Sequence, residues 1–284
     1  MNKNINKIFF NIKKNIILKL KMDLSTDNKS FSDFKKDGYL LLPQYFNEDI
    51  DNLEEITYYF SKLPDTKNKF MKYYETANGN KILARMEYLL DFNSELKKME
   101  ETIIQPLASL YFQEEAVLFK EKVNFKLPGG GAFAPHQDFP AWNDLPPKEF
   151  ITIGIPLDNM TIENGCLYMA TGIARNKEIY HDPSDNKISK DLIKSWKWDP
   201  IVCQRGDVLV FDSFIPHRSE VNTTQNSRRI YYFTYNKKLE GEHREGYFNK
   251  KRELFPQDVD KIPGKDYSVI GAKYNLANPI DNKV

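Results

Sequence analysis

The sequence predicts a mainly β protein of the α+β class. Apolar residues recur at helical spacing only within the first 115 or so positions, whereas β-branched and aromatic runs dominate from there to about residue 237. Its 284 residues, 40% hydrophobic and 29% charged, can bury a sizeable core, and all-β barrels of this length commonly remain one domain. We therefore expect a basic, flexible extension over 1–30 and a single domain over 31–284, with a tail from about 237.

The extension holds six Lys and no acidic residue in its first 21 positions, and Ile12, Ile16, Ile17 and Leu20 give it weak amphipathic spacing. Basic, acid-poor segments can address organelles, but this one lacks Arg and Ser. A frayed tail, or a true start at Met22, fits better; a cytoplasmic protein is expected, with organellar targeting left open. From Ser30 a short helix should end with Gly38 as its C-cap, followed by a strand Tyr39 to Leu42 stopped by Pro43. Asn47 is expected to cap the next helix, which carries Ile50, Leu53, Ile56, Phe60 and Leu63 on one stripe. A further helical stretch presents Leu96, Met99, Ile103, Leu107 and Leu110, with Pro106 as a kink or restart. Both stripes read as core.

Strands are expected at Val117 to Leu127, Phe150 to Leu157, Gly165 to Ala170, Val208 to Phe211 and Ile230 to Tyr235. The polar connection from Gly172 to Arg205 exceeds the usual loop length and reads as a lid, or as partly helical around Asp191 to Trp198. From Lys237 onward, charge mixed with Pro256, Pro263 and Pro279 reads as irregular.

Several function classes drop out. A net charge of +1 leaves no global footprint for nucleic acid. No apolar run approaches the ~20 residues that span a bilayer. Cys166 and Cys203 form neither a disulfide framework nor a zinc-finger spacing.

The chemistry concentrates at His136, Asp138 and His217. Two imidazoles and one carboxylate on one face of Fe(II) leave the opposite face open for a keto acid and dioxygen. The chain has only four His, so two of them in this pattern carry weight. Along Val117 to Leu127, alternation places Val117, Phe119, Val123 and Phe125 on one face and Lys120, Lys122, Asn124 and Lys126 on the other. A lysine face is often a solvated edge that guards against aggregation. This one runs through Pro128 and Gly129-Gly130-Gly131 into His136, so it can instead line the cavity of the metal as an anion-binding wall. Gly206 to Asp212 reads as a turn and a buried strand that delivers His217 on rigid structure. Arg228 starts the next strand, and its planar guanidinium suits the distal carboxylate of 2-oxoglutarate. Arg229 faces the other way by alternation. His181 and His243 lack ligand spacing and read as surface or structural.

With these residues in view, His136-x-Asp138, His217 and Arg228 resemble the phytanoyl-CoA dioxygenase superfamily of Fe(II)/2-oxoglutarate oxygenases. The stretches Leu118 to Gly130, Ala134 to Asp138, Glu163 to Cys166, Phe211 to Ser219 and Tyr235-Asn236 are similar to its 2-aminoethylphosphonate dioxygenase group, as are Glu240 to His243, Tyr247 to Arg252, Phe255-Pro256 and Pro263 to Tyr267. The resemblance spans about residues 31 to 280. It implies a double-stranded β-helix, a jelly-roll or cupin-like barrel, with N-terminal helices packed on the major sheet. It implies His136, Asp138 and His217 as iron ligands and catalytic residues, and Arg228 as the clamp for 2-oxoglutarate. Asn124, Ser219 and Thr152 are further cosubstrate candidates. Lys120 and Lys122 are expected to hold the anion of a phosphonate, and Trp142 is either a core or rim aromatic or the face for a substrate ammonium. Dioxygen is the second cosubstrate. Asp138 separates the chain from halogenases of the superfamily, which lack that carboxylate, so hydroxylation is the expected outcome.

Three other readings stand beside it: a hydroxylase of another small zwitterionic metabolite, a non-enzymatic sensor that binds metal or 2-oxoglutarate, and a hydrolytic zinc site. The last lacks an obvious general base near His217. The tail either packs over the barrel mouth or builds a homodimer interface.

Overall fold

A computed structural model describes residues 28–173, 178–179, 188–267, 272–274 and 279. The N-terminal extension before residue 28 and His181 lie outside the described residues. Helix α1 (Asn28–Asp37) ends at Gly38, whose φ of 82° is the left-handed C-cap conformation that glycine adopts without strain, and its N–H donates to Phe34 O at 2.9 Å. Strand β1 (Tyr39–Leu42) follows as expected. Helix α2 (Ile50–Lys62) buries Ile50, Leu53, Ile56 and Phe60 on the predicted stripe. Its N-cap is Asp49 without a side-chain hydrogen bond, not Asn47, whose amide donates instead to Gln44 Oε1 at 2.6 Å.

A hairpin comes next, β2 (Met71–Ala77) and β3 (Asn80–Glu87), which no β-branched run announces. Its signal is the turn: Asn78 and Gly79 take φ of 51° and 76°, the left-handed pair of a two-residue hairpin loop. Helix α3 (Ser94–Met99) is capped by the Asn93 side chain and passes through a π-helical turn (Glu100–Ile104) into α4 (Gln105–Phe112), where Pro106 sits in the first turn and so restarts the helix.

The remaining strands are β4 (Ala116–Lys126), β5 (Phe133–His136), β6 (Ile151–Pro156), β7 (Leu167–Thr171), β8 (Lys197–Ile201), β9 (Val208–Asp212), β10 (His217–Ser219) and β11 (Arg228–Lys237). The stretch expected to be helical to Trp198 divides into α5 (Lys190–Ser195) and β8, whose Pro200 is tolerated because β8 is an edge strand. Seven antiparallel strands form the major sheet in the order β1-β9-β6-β11-β4-β3-β2, and four form the minor sheet in the order β5-β10-β7-β8. This is the double-stranded β-helix.

Period-two alternation divides the major sheet into two faces. Ile151, Ile153 and Ile155, Val208 and Val210, and Tyr231, Phe233 and Tyr235 pack with Leu53, Phe60, Leu96 and Leu107, which places the N-terminal helices on that face. Leu209, Phe211, Ile230 and Tyr232 point the other way and pack with Leu167, Met169 and Ile201 of the minor sheet. Phe233 is fully buried, and truncating such a ring to Ala typically costs about 3–5 kcal/mol. Two face assignments need correction, Val117 and Phe119, because Ala116 and Leu118 take the helix-facing positions at the start of β4. Thr234 and Tyr235 pair with Lys120 and Leu118, so Phe119 is the extra residue of a β-bulge. It leaves the helix-facing core and joins Trp142, Phe150 and Tyr247.

The tail is likewise more ordered than its composition suggested. Helix α6 (Arg244–Leu254) buries Tyr247, Phe248 and Lys251. No helix among the described residues is long and apolar enough to cross a membrane.

Candidate active site

The minor sheet and the turn entering it bring the triad together. His136 ends β5 and pairs across the sheet with His217 of β10, so the two rings lie 4.3 Å apart between centroids. Asp138 follows at the start of a short 3-10 turn, its Oδ1 3.9 Å from His136 Nε2. One potential ligand atom from each of His136, Asp138 and His217 lies within 4.8 Å of the others. His217 is placed by the turn after β9, where Asp212 Oδ1 accepts the N–H groups of Phe214 and Ile215, each at 2.9 Å. Gln137 ties the two ligand segments together: its amide donates to Phe214 O and its carbonyl accepts from Ile179 N–H at 2.8 Å.

Both imidazoles are oriented for a metal. Ala134 O lies 2.7 Å from His136 Nδ1, and Ile215 O lies 3.1 Å from His217 Nδ1. A carbonyl only accepts, so each Nδ1 carries the proton and each Nε2 keeps its lone pair. Burial, then His217, holds His136 down at about 3, which keeps its imidazole neutral near pH 7. Burial opposes the Asp138 carboxylate, but the neighbouring His217, Lys122, His136 and Lys120 prevail and hold it at about 2.

All ten residues singled out in the sequence line one cavity between the two sheets. Arg228 is 2% exposed; its Nη2 donates to Gly165 O at 2.7 Å, while its Nε has no hydrogen-bond partner among the described residues. Asn124 Oδ1 is also buried without one. Ser219 accepts from Lys126, and Thr152 shares a 3.0 Å hydrogen bond with Thr234. Orphaned polar atoms at this depth are costly unless a ligand satisfies them, so Arg228 and Asn124 fit a carboxylate-bearing cosubstrate, just as the neutral-nitrogen and carboxylate donor set fits Fe(II).

The lysine face is the cavity wall and not a solvated edge. Lys120 Nζ lies 4.4 Å from the Trp142 ring and 5.5 Å from that of Tyr247; Lys122 Nζ lies 5.2 Å from the Tyr232 ring. Neither has a hydrogen-bond or ion-pair partner among the described residues. Burial, then Lys122, pushes Lys120 well down, and burial pushes Lys122 down as well, so an arriving anion would find both relieved by its charge. Trp142 is buried with Phe119 and Phe150, and Lys120 already occupies its π-face.

Sequence reasoning did not reach Arg85 and Glu87 on β3, or Tyr247, Lys251, Lys273 and Tyr274 from the tail. All but Glu87 line the cavity, and Glu87 lies beneath it, paired with both Arg85 and Lys251. The Asn-Gly turn would have revealed β3; no local signal marks Lys251 as a cavity residue. Arg229 does face away, held by Asp158 and Glu54, and His243 Nε2 lies 2.7 Å from Glu240 O in a structural setting.

Comparison with known proteins agrees with this geometry. The phytanoyl-CoA dioxygenase (PhyH) family model matches residues 34–230. A 2-aminoethylphosphonate dioxygenase from uncultured bacterium HF130_AEPn_1 is 39% identical over 251 residues, 87% of this chain and 95% of that protein. A methylphosphonate hydroxylase from Gimesia maris is 34% identical over 250 residues, with the same two coverages of 87% and 95%. Among solved structures, EctD from S. alaskensis with 2-oxoglutarate and 5-hydroxyectoine superposes with a TM-score of 0.63 over 75% of this chain and 77% of its own, at 16% identity.

Proposed function

Because this chain belongs to the phytanoyl-CoA dioxygenase family, we propose that it is an Fe(II)- and 2-oxoglutarate-dependent dioxygenase that hydroxylates a small organophosphonate at the carbon next to phosphorus. 2-Aminoethylphosphonate, its N-methylated form and methylphosphonate are the substrates to test first. One observation carries this reading: a single cavity joins the imidazole and carboxylate triad, a buried Arg with an unused donor, and two lysines that have no carboxylate partner among the described residues.

His136, Asp138 and His217 would hold the iron. With 2-oxoglutarate and dioxygen bound, the metal supplies the oxidising power: one oxygen atom enters a substrate C–H bond, the other ends in succinate, and carbon dioxide leaves. The chain's own side chains supply position and electrostatics. Arg228 would grip the distal carboxylate of 2-oxoglutarate, with Ser219, Thr152 and Asn124 as further polar contacts. Lys120 and Lys122 would hold the phosphonate oxygens, presenting the adjacent carbon toward the triad. Phe119, Trp142, Phe150 and Tyr247 pack behind Lys120 and exclude water from that end, which strengthens each charge–charge contact.

The test is succinate formation by protein loaded anaerobically with Fe(II) and then given oxygen, 2-oxoglutarate and a panel of phosphonates and non-phosphonate zwitterions. Stimulation by a phosphonate, with product heavier by one oxygen atom, is the expected result. Stimulation only by a zwitterion without phosphorus would replace the substrate assignment, and iron-loaded protein that turns over nothing would favour a sensor.

A further inference from the structure

Lys251 arrives from α6, beyond the segment that the family model matches, and is 1% exposed in the cavity wall. Its Nζ is ion-paired with Glu87 Oε2, and Arg85 Nε lies 3.0 Å from the other oxygen of the same carboxylate. Glu87 is the β3 residue paired with Lys122 in register, and Arg85 is paired with Asn124. Arg85 and Lys251 thus share the one carboxylate of Glu87, and Lys120 and Lys122 line the same cavity without an ion-pair partner among the described residues. The rings of Tyr73, Tyr247, Phe255 and Tyr274 surround the Lys251 ammonium at 5.1 to 5.9 Å, which fixes its position and keeps bulk water away.

Burial disfavours the charged forms of Lys120, Lys122 and Lys251, and an anion entering among them would favour the ammonium forms. An ammonium carries three N–H donors, and Glu87 engages Lys251 through one of its oxygens, leaving donors to spare. A phosphonate dianion has three oxygens splayed over a tetrahedron and two charges to share among several donors; a carboxylate has two oxygens in a plane and one charge. We propose that α6 is the specificity element of the site: Lys251, seated by Glu87, completes with Lys120 and Lys122 a three-ammonium subsite for a tetrahedral dianion. The proposal rests on the phosphonate hydroxylase reading and names the residues that make it selective.

The experiment compares Lys251→Met and Lys251→Arg in the full chain, loaded with Fe(II). The readouts are the apparent KM for the best phosphonate, the 2-oxoglutarate KM, and the inhibition constant of inorganic phosphate against that phosphonate. Arg85 continues to pair Glu87 in either variant, and a thermal melt of each confirms that α6 remains docked. Losing one charge-assisted hydrogen bond predicts that Lys251→Met raises the phosphonate KM and the phosphate inhibition constant by roughly 10- to 100-fold, with the 2-oxoglutarate KM within about twofold. Lys251→Arg should recover most of the affinity. A phosphonate KM unchanged in Lys251→Met overturns the proposal, as does an equal rise for phosphonate and 2-oxoglutarate, which would mark a general disturbance of the cavity. Failure of the parent reading shows earlier and differently, as wild-type protein whose succinate formation no phosphonate stimulates.

Discussion

Lys126 Nζ donates a 2.8 Å hydrogen bond to Ser219 Oγ, and both side chains are buried where β4 pairs Lys126 with Arg228 of β11. With its oxygen accepting from Lys126, Ser219 has its own proton free to donate into the cavity that it and Arg228 line. Under the proposed function Lys126 would thereby position Ser219 for the cosubstrate. Lys126→Met should raise the 2-oxoglutarate KM by roughly tenfold and leave the phosphonate KM within about twofold. Anaerobic titration of 2-oxoglutarate into the Fe(II) protein, followed by absorbance, would show the same weakening without turnover.

Under the proposed function Arg228 would be the stronger partner for the same carboxylate. A lysine cannot reproduce the planar fork, so Arg228→Lys should raise the 2-oxoglutarate KM by roughly 10- to 100-fold. Comparable affinity in this variant would mean that the distal carboxylate binds elsewhere.

Lys122 serves the substrate anion in the proposed function, not the cosubstrate. Replacing it with Ala should raise the phosphonate KM at least about tenfold while moving the 2-oxoglutarate KM little. Steady-state succinate assays with each ligand varied in turn separate the two. Equal effects on both would count against a phosphonate on this wall.

Metal dependence follows from the donor set. Chelation should abolish succinate formation, and Fe(II) added anaerobically should restore it. Zinc should occupy the same three ligands without supporting turnover, because it has no redox chemistry. Activity surviving exhaustive chelation, or supported by zinc alone, would contradict the assignment of His136, Asp138 and His217.

Glu100, which does not line the cavity, gives a pH prediction. Burial raises its carboxyl to about 7 although Tyr235 donates to it at 2.8 Å. The folded protein therefore binds a proton that the unfolded chain has released between about pH 4.5 and 7. The stabilisation linked to that proton is complete below the unfolded value and is lost as pH rises through about 7. Glu100→Gln keeps an acceptor for Tyr235 and has no charge to bury. It should gain on the order of 2 kcal/mol over wild type at pH 8 and little at pH 5, read from denaturant midpoints. An equal effect at both pH values would exclude this titration as the cause.

What the sequence alone determined follows from interactions of short range. The alternation along β4 set Lys120, Lys122 and Asn124 on one face, and the spacing of His136 and Asp138 put two candidate ligands around one turn. The run into His217 and the start of β11 at Arg228 completed a site that the fold then closed. Helical stripes such as Leu53, Ile56 and Phe60 were legible for the same reason: a period of 3.6 or 2 is a property of a few consecutive residues. Tertiary structure decided the rest. The Phe119 bulge exists only because β11 pairs with β4 two residues to one, and no local pattern announces which strand will be the partner. The Glu87–Lys251 pair joins residues 164 apart, so the role of Lys251 depends on where α6 packs. A tail rich in charge and proline looks irregular by composition; burying Tyr247, Phe248 and Phe255 against the barrel is what makes it a wall of the active site.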